Sequence, residues 1–572
     1  MWRRLVLIGL VHFVAFMGAL GWSAWRASQV RTELTAAQRI AVQVQAELSS
    51  GDLKAARAAL PELRRRVDLA DQRAGGPVWS VAQQVPLLGS NLRAVRRTAQ
   101  AARVLGDQAL PEATSALDLV RTREPLGSRR IDLVLLADVK AHVDSAAQGS
   151  RRARTLLGHR DGFLLDGVRA KVEQARDRVV ALDEALQSAA RALQLAPRML
   201  GGDGPRRYFV AVQNNAEARA TGGLVGAFAL VSVDRGSIRL ERTGTDSDLK
   251  SARTPVPIDP AAAKTWQRFG STLAWFDVNL TPHFPDAAQA MAGLWHAQSG
   301  QRVDGVVAID LVVMRELLAA TGAVHLPDGT SVGAGNVVDF VAHDQYVRYT
   351  DHAHRKRLLS ALAADLFLRA VAAKDPVPTM RALGRAAGSG HLYVWSAKAA
   401  EERLLTRGLT GGALPMTDAP YLSVLTQNFG GNKLDFYLRR QIRVSRQPDG
   451  ALRVRVRLRN GAPEGLPAYM TVRSDRPEPP VPYGQAKVGL SVYGARRTSV
   501  SSVEVDGRPS TMTFDKDHGH NVGTLSLEVP RGRDVVVVVT MTQPAGHLVY
   551  RQQPLVVSDL LDLQVPHTVV GR

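Results

Sequence analysis

Apolar residues recur every three or four positions through the N-terminal part of the chain, which is the period of helices that pack along one face. The positions of the first two seams are Val30, Leu34, Ala37, Ala41, Val44 and Leu48, and then Leu53, Ala56, Leu60, Leu63, Val67 and Ala70. A later seam runs from Val172 to Leu193 and ends at Pro197. The pattern predicts a helical bundle or stalk over residues 27–200.

Short β-rich runs alternate with helical patterns in the next part of the chain, which predicts a central α/β domain over residues 201–430. Arg207–Asp248 is typical of a strand, a polar loop, a second strand, a turn and a third strand. Val303–Asp310 predicts a buried strand. Leu311–Thr321 predicts a helix that ends at Gly322.

The period changes to two from Lys433 onward, as Leu452–Leu458 shows. Alternating strands separated by Gly and Pro turns predict an antiparallel β-sandwich, Ig-like, over residues 431–553, followed by a short tail over 554–572. The arginine-bearing face of the alternating strand is expected to face solvent. The expected fold class is therefore multidomain α+β.

The N-terminus carries an apolar stretch from Leu5 to Trp25 that contains no Asp, Glu, Lys or Arg. About 20 such residues cross a bilayer. Trp2-Arg3-Arg4 precedes the stretch and favours a cytoplasmic N-terminus. We therefore expect a transmembrane anchor at residues 1–26, a single pass through the cell membrane, and the bulk of the chain outside the cytoplasm. A cleaved signal peptide is the alternative.

Composition narrows the classes of partner. The net charge of +20 favours anionic partners such as lipid headgroups or phosphorylated glycans. Nucleic acid is disfavoured, because the chain has no zinc-finger spacing, no RRM-like motif and no basic runs interleaved with aromatic residues. The absence of cysteine excludes disulfides, thiol catalysis and thiolate metal sites.

Polar side chains that suit a binding site follow the first strand of Arg207–Asp248. They are Asn214, Asn215, Glu217 and Arg219, and Asp246 with Asp248 return at the end of a later strand. Asparagine side chains also bond to local backbone, and a Glu–Arg pair is often structural. The cluster is therefore either one wall of a ligand site or a buried pair that holds the sheet together.

A second polar cluster lies in Tyr346–Arg357. Its candidate ligand-binding residues are Arg348, Asp351, Arg355 and Arg357. Arginine binds phosphate oxygens in bidentate fashion, so this cluster suits a phosphate or pyrophosphate. Asp246 and Asp248 could then hold Mg²⁺. The alternative is a basic helix start that faces solvent or lipid headgroups.

Catalytic residues stay unassigned, and zinc is disfavoured. His343, His352 and His354 lack a clear further ligand and have cationic neighbours. The chain also lacks a Walker loop, a nucleophile elbow and an HExxH motif.

The run Gln213–Gly223, with Gly226, resembles the signature of the bacterial domain of unknown function 4012. The stretches Pro86–Gly89, Val303–Asp310, Leu317–Gly322 and Asn428–Lys433 fit the same family. The resemblance covers most of the chain. It implies a cell-envelope protein of an actinobacterial or related lineage without an assigned activity.

The central domain also resembles, more distantly, the LytR–CpsA–Psr family. Arg219 is placed like that family's Arg-Ser-Asp stretch, Thr245–Asp248 like its Pro-Arg-Asp-Thr segment, and Arg348–Arg357 like its late arginine run. The Arg-Ser-Asp and Pro-Arg-Asp motifs themselves are absent. The resemblance implies an anchored α/β domain that transfers glycopolymers from polyprenyl pyrophosphate to the cell wall.

Two hypotheses follow. In the first, a membrane-anchored envelope protein binds a phosphorylated polyprenyl or glycan ligand and acts as a glycopolymer phosphotransferase, with Arg219, Arg348, Arg355 and Arg357 on the pyrophosphate. In the second, the protein is a non-catalytic scaffold or adaptor, or a regulator of glycopolymer assembly.

Overall fold

The computed structural model of this protein describes residues 2–50, 52–86, 88–122, 130–159, 162–373, 375–476 and 483–571. At residues 2–20, 23–24, 48–50 and 122 it describes the backbone alone. The chain divides into two compact units. One holds residues 1–124 and 132–198, and the other holds residues 125–131 and 199–572.

The first unit is built from helices, which confirms the helical N-terminal region that the seams predict. Its helices are α1 (Trp2–Ser50), α2 (Leu53–Arg73), α3 (Pro77–Ala82), α4 (Leu88–Val104), α5 (Leu110–Thr122), α6 (Leu133–Leu157) and α7 (Asp166–Met199). A π-helical turn at Leu105–Ala109 joins α4 to α5.

The seam spacing explains which faces of these helices are buried. All six seam residues of α2, from Leu53 to Ala70, are buried, and so are Val30, Ala37 and Val44 of α1. Residues three and four apart share one side of a helix, so each seam becomes a continuous stripe. The stripes of α1 and α2 meet in shared apolar clusters.

The expected membrane anchor at residues 1–26 begins α1. Most of it falls on residues whose side chains lie outside the described set. Elsewhere in α1 and in the other described helices, no stretch is both long and apolar enough to cross a membrane.

A mixed sheet lies in the first part of the second unit. Its strands and an adjoining two-stranded ribbon are β1 (Arg206–Arg219), β2 (Gly222–Asp234), β3 (Ser237–Thr245), β4 (Gly305–Ile309), β5 (Val324–His325), β6 (Ser331–Val332) and β7 (Tyr393–Ser396). The five-stranded sheet has the order β3–β2–β1–β4–β7, and β5 with β6 forms the ribbon. β1 runs antiparallel to β2 and parallel to β4.

Helices cover both faces of this sheet. The helices of this part of the chain are α8 (Lys264–Arg268), α9 (Phe284–Ser299), α10 (Leu311–Thr321), α11 (Val337–Asp339), α12 (Gln345–Arg348), α13 (His352–Val371), α14 (Pro376–Gly388) and α15 (Ala399–Leu405). Successive strand residues point to opposite faces. Phe209 and Ala211 of β1 therefore pack with α9, whereas Val212 packs with α10 and α13.

Two six-stranded sheets follow, which confirms the β-rich C-terminal region. Their strands and one short helix are β8 (Tyr421–Asn428), β9 (Leu438–Arg446), β10 (Leu452–Asn460), α16 (Ala468–Thr471), β11 (Ala486–Gly494), β12 (Ser499–Val505), β13 (Arg508–Pro509), β14 (Thr513–Asp517), β15 (His520–Val529), β16 (Asp534–Thr542), β17 (Leu548–Arg551), β18 (Leu560–Gln564) and β19 (His567–Val570). The sheet orders are β13–β12–β16–β10–β9–β18 and β14–β15–β11–β8–β17–β19.

The two C-terminal sheets enclose one apolar core. β10 shows how the sequence builds it: Leu452, Val454, Val456 and Leu458 are buried, and the arginines between them are exposed. β8 precedes residue 431 and still belongs to one of these sheets. β18 and β19 follow residue 553 and pair at the sheet edges.

The alternation in β10 predicts opposite outcomes for neighbouring substitutions. Leu458→Ala should lower the free energy of unfolding by about 2–5 kcal/mol, because it leaves a cavity in the core between the sheets. Arg455→Ala, on the exposed face of the same strand, should change it by less than about 0.5 kcal/mol. Urea unfolding of both variants makes the comparison, and equal losses would contradict the assignment of faces.

Candidate functional site

The polar run after the first strand stays in the strand instead of forming the expected loop. β1 continues to Arg219, and its pairing with β2 slips between Asn214 and Ala218. A bulge of this kind bends a strand and redirects its side chains. Gly223 makes the bulge possible, since a Cβ there would clash with the backbone of Asn214 and Asn215.

Glu217 lies at the centre of a buried charge cluster. Its Oε1 accepts a hydrogen bond from Nη2 of Arg219 at 3.1 Å, and its Oε2 accepts one from Nζ of Lys433. All three side chains are at most 7% exposed. Burial alone raises the pKa of the Glu217 carboxyl, but the charges of Lys433 and Arg219 outweigh it and hold that pKa below its ordinary value.

Arg219 has its guanidinium engaged on every side. Nε donates to the carbonyl of Phe276 at 2.9 Å. Nη1 donates to the carbonyls of Ala218 at 3.1 Å and Asn428 at 3.3 Å. Nη2 donates to Glu217, so all three guanidinium nitrogens have hydrogen-bond partners from within the chain. The guanidinium therefore presents no unpaired nitrogen to a ligand.

The two asparagines join the bulge to distant segments. Nδ2 of Asn215 donates to the Asp310 carboxylate at 3.0 Å and to the Pro554 carbonyl at 3.1 Å. Nδ2 of Asn214 donates to the Tyr346 hydroxyl at 3.0 Å. Both asparagines are buried, so these bonds replace water that the amides would otherwise bind.

Asp435 adds a carboxylate from the segment before β9. Its Oδ2 accepts hydrogen bonds from the Ala218 amide at 2.7 Å and from Asn428 at 2.8 Å. Burial raises the pKa of Asp435 to about 6. It lines a cavity of about 20 Å³ together with Asn215 and Arg440. That volume holds one water molecule, not a pyrophosphate or a sugar.

Arg355 is the buried member of the second cluster. Its Nη1 donates to the carbonyls of Tyr349 at 2.6 Å and Thr350 at 3.1 Å. The guanidinium lies 5.5 Å from the ring centre of Tyr346 and 4.7 Å from that of Tyr469. Such stacking is favourable for a cation, and here it fixes the start of α13 against α16.

The other members of the second cluster lie at the surface. Asp351 caps α13 by accepting the Ala353 N–H at 2.9 Å. Arg357 lies 3.8 Å from Asp351 with its side chain 68% exposed. Arg348 contacts Asp344 at 3.5 Å with its side chain 55% exposed. These two arginines are the cations of the candidate set that remain open to solvent.

The candidate magnesium ligands do not converge. Asp246 pairs with Lys356, and burial lowers the pKa of that lysine. Oδ2 of Asp248 accepts hydrogen bonds from the Thr245 amide at 2.8 Å and the Thr245 hydroxyl at 3.4 Å. Among described residues no third carboxylate or histidine joins them within ligand reach. Mg²⁺ needs several converging oxygens, so the arrangement does not fit a magnesium centre.

The structure therefore joins the two expected walls by direct side-chain contacts. Asn214 touches Tyr346, whose ring stacks on Arg355, and Asp246 touches Lys356. Lys433 and Asp435 complete the network and were not among the sequence candidates. The signal for Lys433 was the run Asn428–Lys433, which carries the family resemblance, and Asp435 lies two residues beyond that run.

A histidine–aspartate cluster is a further group that the sequence analysis missed. His283 and Asp286 flank the start of α9, and His518 lies in the turn between β14 and β15. Nε2 of His518 lies 2.9 Å from Oδ2 of Asp286. The rings of His283 and His518 stack with centroids 3.6 Å apart and planes 12° apart. No spacing in the sequence could show that residue 518 meets residue 286.

Among the described residues, these three form the group of His, Asp and Glu side chains whose possible metal-ligand atoms all lie within 4.8 Å of one another. The stacked rings direct their nitrogen lone pairs into nearly parallel planes, whereas zinc needs lone pairs that converge at about 2.1 Å. Nδ1 of His283 also accepts the Leu414 N–H at 3.1 Å. The cluster as folded is a hydrogen-bonded His518–Asp286 pair with the His283 ring stacked on His518.

Burial and the neighbouring charges shift the pKa of all three side chains of the cluster. Burial raises the pKa of Asp286 to about 6. Burial and the charge of His518 hold the pKa of His283 well below its ordinary value. Burial lowers the pKa of His518, but the hydrogen bond to Asp286 outweighs it and leaves that pKa above its ordinary value.

Removal of the central carboxylate should be far more damaging than removal of an exposed one. Glu217→Ala leaves Lys433 and Arg219 buried without their counter-charge, so the free energy of unfolding should fall by about 3–5 kcal/mol. Glu241→Ala breaks a solvent-exposed pair with Arg207 and should cost at most about 1 kcal/mol. Thermal and urea unfolding measure both, and a small loss for Glu217→Ala would show that the cluster does not hold the fold.

The histidine–aspartate cluster predicts a pH dependence of stability. The pKa of Asp286 rises from 3.8 to about 6 on folding, so the folded state holds that proton more tightly. Stability from this group is present below pH 3.8 and is lost as the pH rises to about 6. His518 acts in the same direction above its ordinary value of 6.5.

The stability of the wild type relative to Asp286→Asn should therefore fall by about 2 kcal/mol between about pH 4 and pH 6. Unfolding curves at several pH values measure this difference. His547→Gln, at an exposed histidine, is the control and should leave the profile unchanged. A pH-independent difference for Asp286→Asn would contradict the raised pKa.

Comparison with known proteins gives one match. No curated protein and no solved structure matches the chain. The model of a family described as protein of unknown function (DUF4012) matches residues 203–346. The match covers β1 to β4 and the start of the second cluster, and it supports the resemblance of this chain to the DUF4012 family.

Proposed function

We propose that this protein is a membrane-anchored, extracytoplasmic protein of the cell envelope that acts as a non-catalytic scaffold. The observation that carries the proposal is the charge cluster of Glu217, Arg219 and Lys433. The transferase hypothesis assigns Glu217 and Arg219 to a ligand. Their side chains instead bond to Lys433 and Asn428, and these contacts join the mixed sheet to the C-terminal sheets.

The pairing of the side chains in the first cluster supports the scaffold proposal. Every nitrogen of the Arg219 guanidinium has a partner within the chain, and the adjoining cavity of about 20 Å³ admits only water. A transferase needs cations that are free to stabilise the charge that develops on a leaving pyrophosphate. A scaffold needs two layers that stay together, which a buried and fully paired network provides.

The anchoring part of the proposal rests on the sequence. Leu5–Trp25 is long and apolar enough to span a bilayer, and Trp2-Arg3-Arg4 favours a cytoplasmic N-terminus. The net charge of +20 suits a surface close to anionic lipid or phosphorylated glycan. An Ig-like topology of the C-terminal sheets stays a prediction.

A second candidate function is the binding of a phosphorylated polyprenyl or glycan ligand at the surface. Arg348 and Arg357 favour it, since both side chains are mostly exposed. Tyr469 is 46% exposed and carries the ring of His352 at its edge. Partly exposed aromatic rings and exposed arginines suit sugars and phosphates. The resemblance to the LytR–CpsA–Psr family suggests this ligand class.

One complementation experiment separates the two candidates. The host is a deletion strain whose wall glycopolymer content the wild-type gene restores. The scaffold proposal expects the double variant Arg348→Ala, Arg357→Ala to restore that content fully at equal membrane levels. Ligand binding at the surface expects the glycopolymer content to fall, because each charged phosphate contact is worth about 1.5–3 kcal/mol and its loss weakens ligand binding at least about tenfold.

Arg239→Ala is the matched control, since Arg239 is an exposed arginine on β3 of the same domain. It should restore the glycopolymer content under either candidate. A loss with the double variant and full rescue with the control would overturn the scaffold proposal in favour of surface ligand binding. The binding of a polyprenyl phosphate to the purified full chain in detergent provides the direct readout.

A further inference from the structure

The exposed apolar side chains of the helical unit gather at one end of it. Eight large hydrophobic residues of this unit are exposed among its described residues. Six of them form what we call the apolar end: Trp25, Val78, Val81, Leu88, Phe163 and Leu165. The other two, Val42 and Val134, lie elsewhere on the unit. Scattered exposed apolar residues are ordinary, but a concentration of them marks a contact surface.

Packing within the unit brings these residues together. α3 lies against the part of α1 just beyond Trp25, because Trp79 and Ala82 of α3 share an apolar cluster with Val30. Burial of that face of α3 leaves Val78 and Val81 on the outside, where Val81 is 68% exposed.

The loop before α7 reaches the same end. Nδ2 of Asn91 donates to the Phe163 carbonyl at 3.3 Å, and Oδ1 of Asn91 accepts the Leu165 N–H at 2.9 Å. Leu164 points inward to Ala94 and Val172. Its two neighbours therefore point outward, and Phe163 is 55% exposed.

Three arginines stand beside the apolar end without a carboxylate partner among the described residues. Arg26 lies over the Trp22 ring with its guanidinium 4.9 Å from the ring centre. Arg93 donates to the Gln83 carbonyl, and Arg169 donates to the Leu164 carbonyl at 3.1 Å. Each retains N–H groups for an anion. Apolar side chains rimmed by such cations match the acyl boundary and the phosphates of a lipid surface.

We infer that the apolar end rests on the outer surface of an anionic bilayer. The inference depends on the membrane anchoring in the proposed function. The apolar stretch Leu5–Trp25 ends where the apolar end begins. Val30, which packs on α3, follows Trp25 by about 7–8 Å of helix at 1.5 Å per residue. A bilayer that holds the stretch would therefore meet α3 and the Phe163 loop.

The same continuity favours lipid over a second protein as the occupant. A protein partner would have to fit between the apolar end and the bilayer, within about one and a half helical turns of the predicted span.

The role of this contact would be to fix the tilt of the helical unit. One helix crossing a membrane leaves the attached unit free to lean, whereas a second contact beside it removes that freedom.

Depth-dependent quenching in proteoliposomes tests the inference on the full chain. The chain has no cysteine, so single variants accept an environment-sensitive fluorophore at one site. Val81→Cys and Phe163→Cys report on the apolar end. Val42→Cys and Val134→Cys are matched controls, because these valines are similarly exposed, at 53% and 65%. The vesicles are phosphatidylcholine with phosphatidylglycerol, with or without doxyl-labelled lipid.

The expected result is strong quenching by doxyl lipid at positions 81 and 163 and none at 42 and 134. Equal, unquenched signals at all four positions in a chain that floats with the vesicles would overturn the inference and leave the anchoring intact. A fluorophore at position 81 that is shielded from water but not quenched by doxyl lipid would assign the surface to a protein contact. That result would also overturn the inference. A chain that does not associate with vesicles would refute the anchoring itself.

The arginines provide an independent measurement. Each cation near an anionic surface shifts the ratio of docked to undocked chains about fivefold. In anionic vesicles, the fluorophore on the double variant Arg93→Gln, Arg169→Gln should therefore be quenched less than on the unsubstituted chain, and the two chains should be quenched more nearly alike in pure phosphatidylcholine. Quenching that does not respond to phosphatidylglycerol or to these substitutions would contradict the electrostatic part of the inference.

Discussion

The carboxylate of Glu217 lies out of water between Lys433 and Arg219, and the second unit of this protein depends on that arrangement. An isolated charge in such a place would cost many kcal/mol, and it persists only because its partners are fixed around it. The partners come from far apart in the chain: Arg219 lies on the same strand, whereas Lys433 follows β8. The ion cluster therefore requires the mixed sheet and the C-terminal sheets to fold together.

This requirement changes the meaning of the polar motif that contains Glu217. A run of Asn, Glu and Arg between two strands has the composition of an active site, and burial with strongly perturbed pKa values is common in active sites. Structural ion networks produce the same signature. What separates the two is unused bonding capacity near an open volume, and here Arg219 is fully engaged beside a cavity that fits one water molecule.

The helical unit shows how a contact surface can be recognised without a pocket. Its seams are satisfied internally, as Val30 and Val44 of α1 show by being fully buried. Val78 and Val81 of α3 belong to no seam and remain exposed at the same end as Phe163. Because the core of the unit is already complete, these side chains are not required by folding. Their exposure is best explained by an environment outside the unit.

Local pattern predicted much of the architecture, because helix and strand periods are properties of neighbouring residues. The seam from Leu53 to Ala70 and the alternation from Leu452 to Leu458 appear in the structure with the expected faces buried. The sequence also showed that Asn214–Arg219 and Arg348–Arg357 concentrate polar and charged side chains. It determined by itself the classes of element, the polar candidates and the absence of thiol chemistry.

Only the tertiary structure decided which of these groups are paired and which are free. Lys433 meets Glu217, and His518 meets Asp286, across separations that no local period encodes. Arg219 and Arg357 have the same side chain in the sequence, yet one is buried among four partners and the other is exposed. The physical reason is that hydrogen bonding and desolvation depend on the neighbours that folding brings from distant parts of the chain.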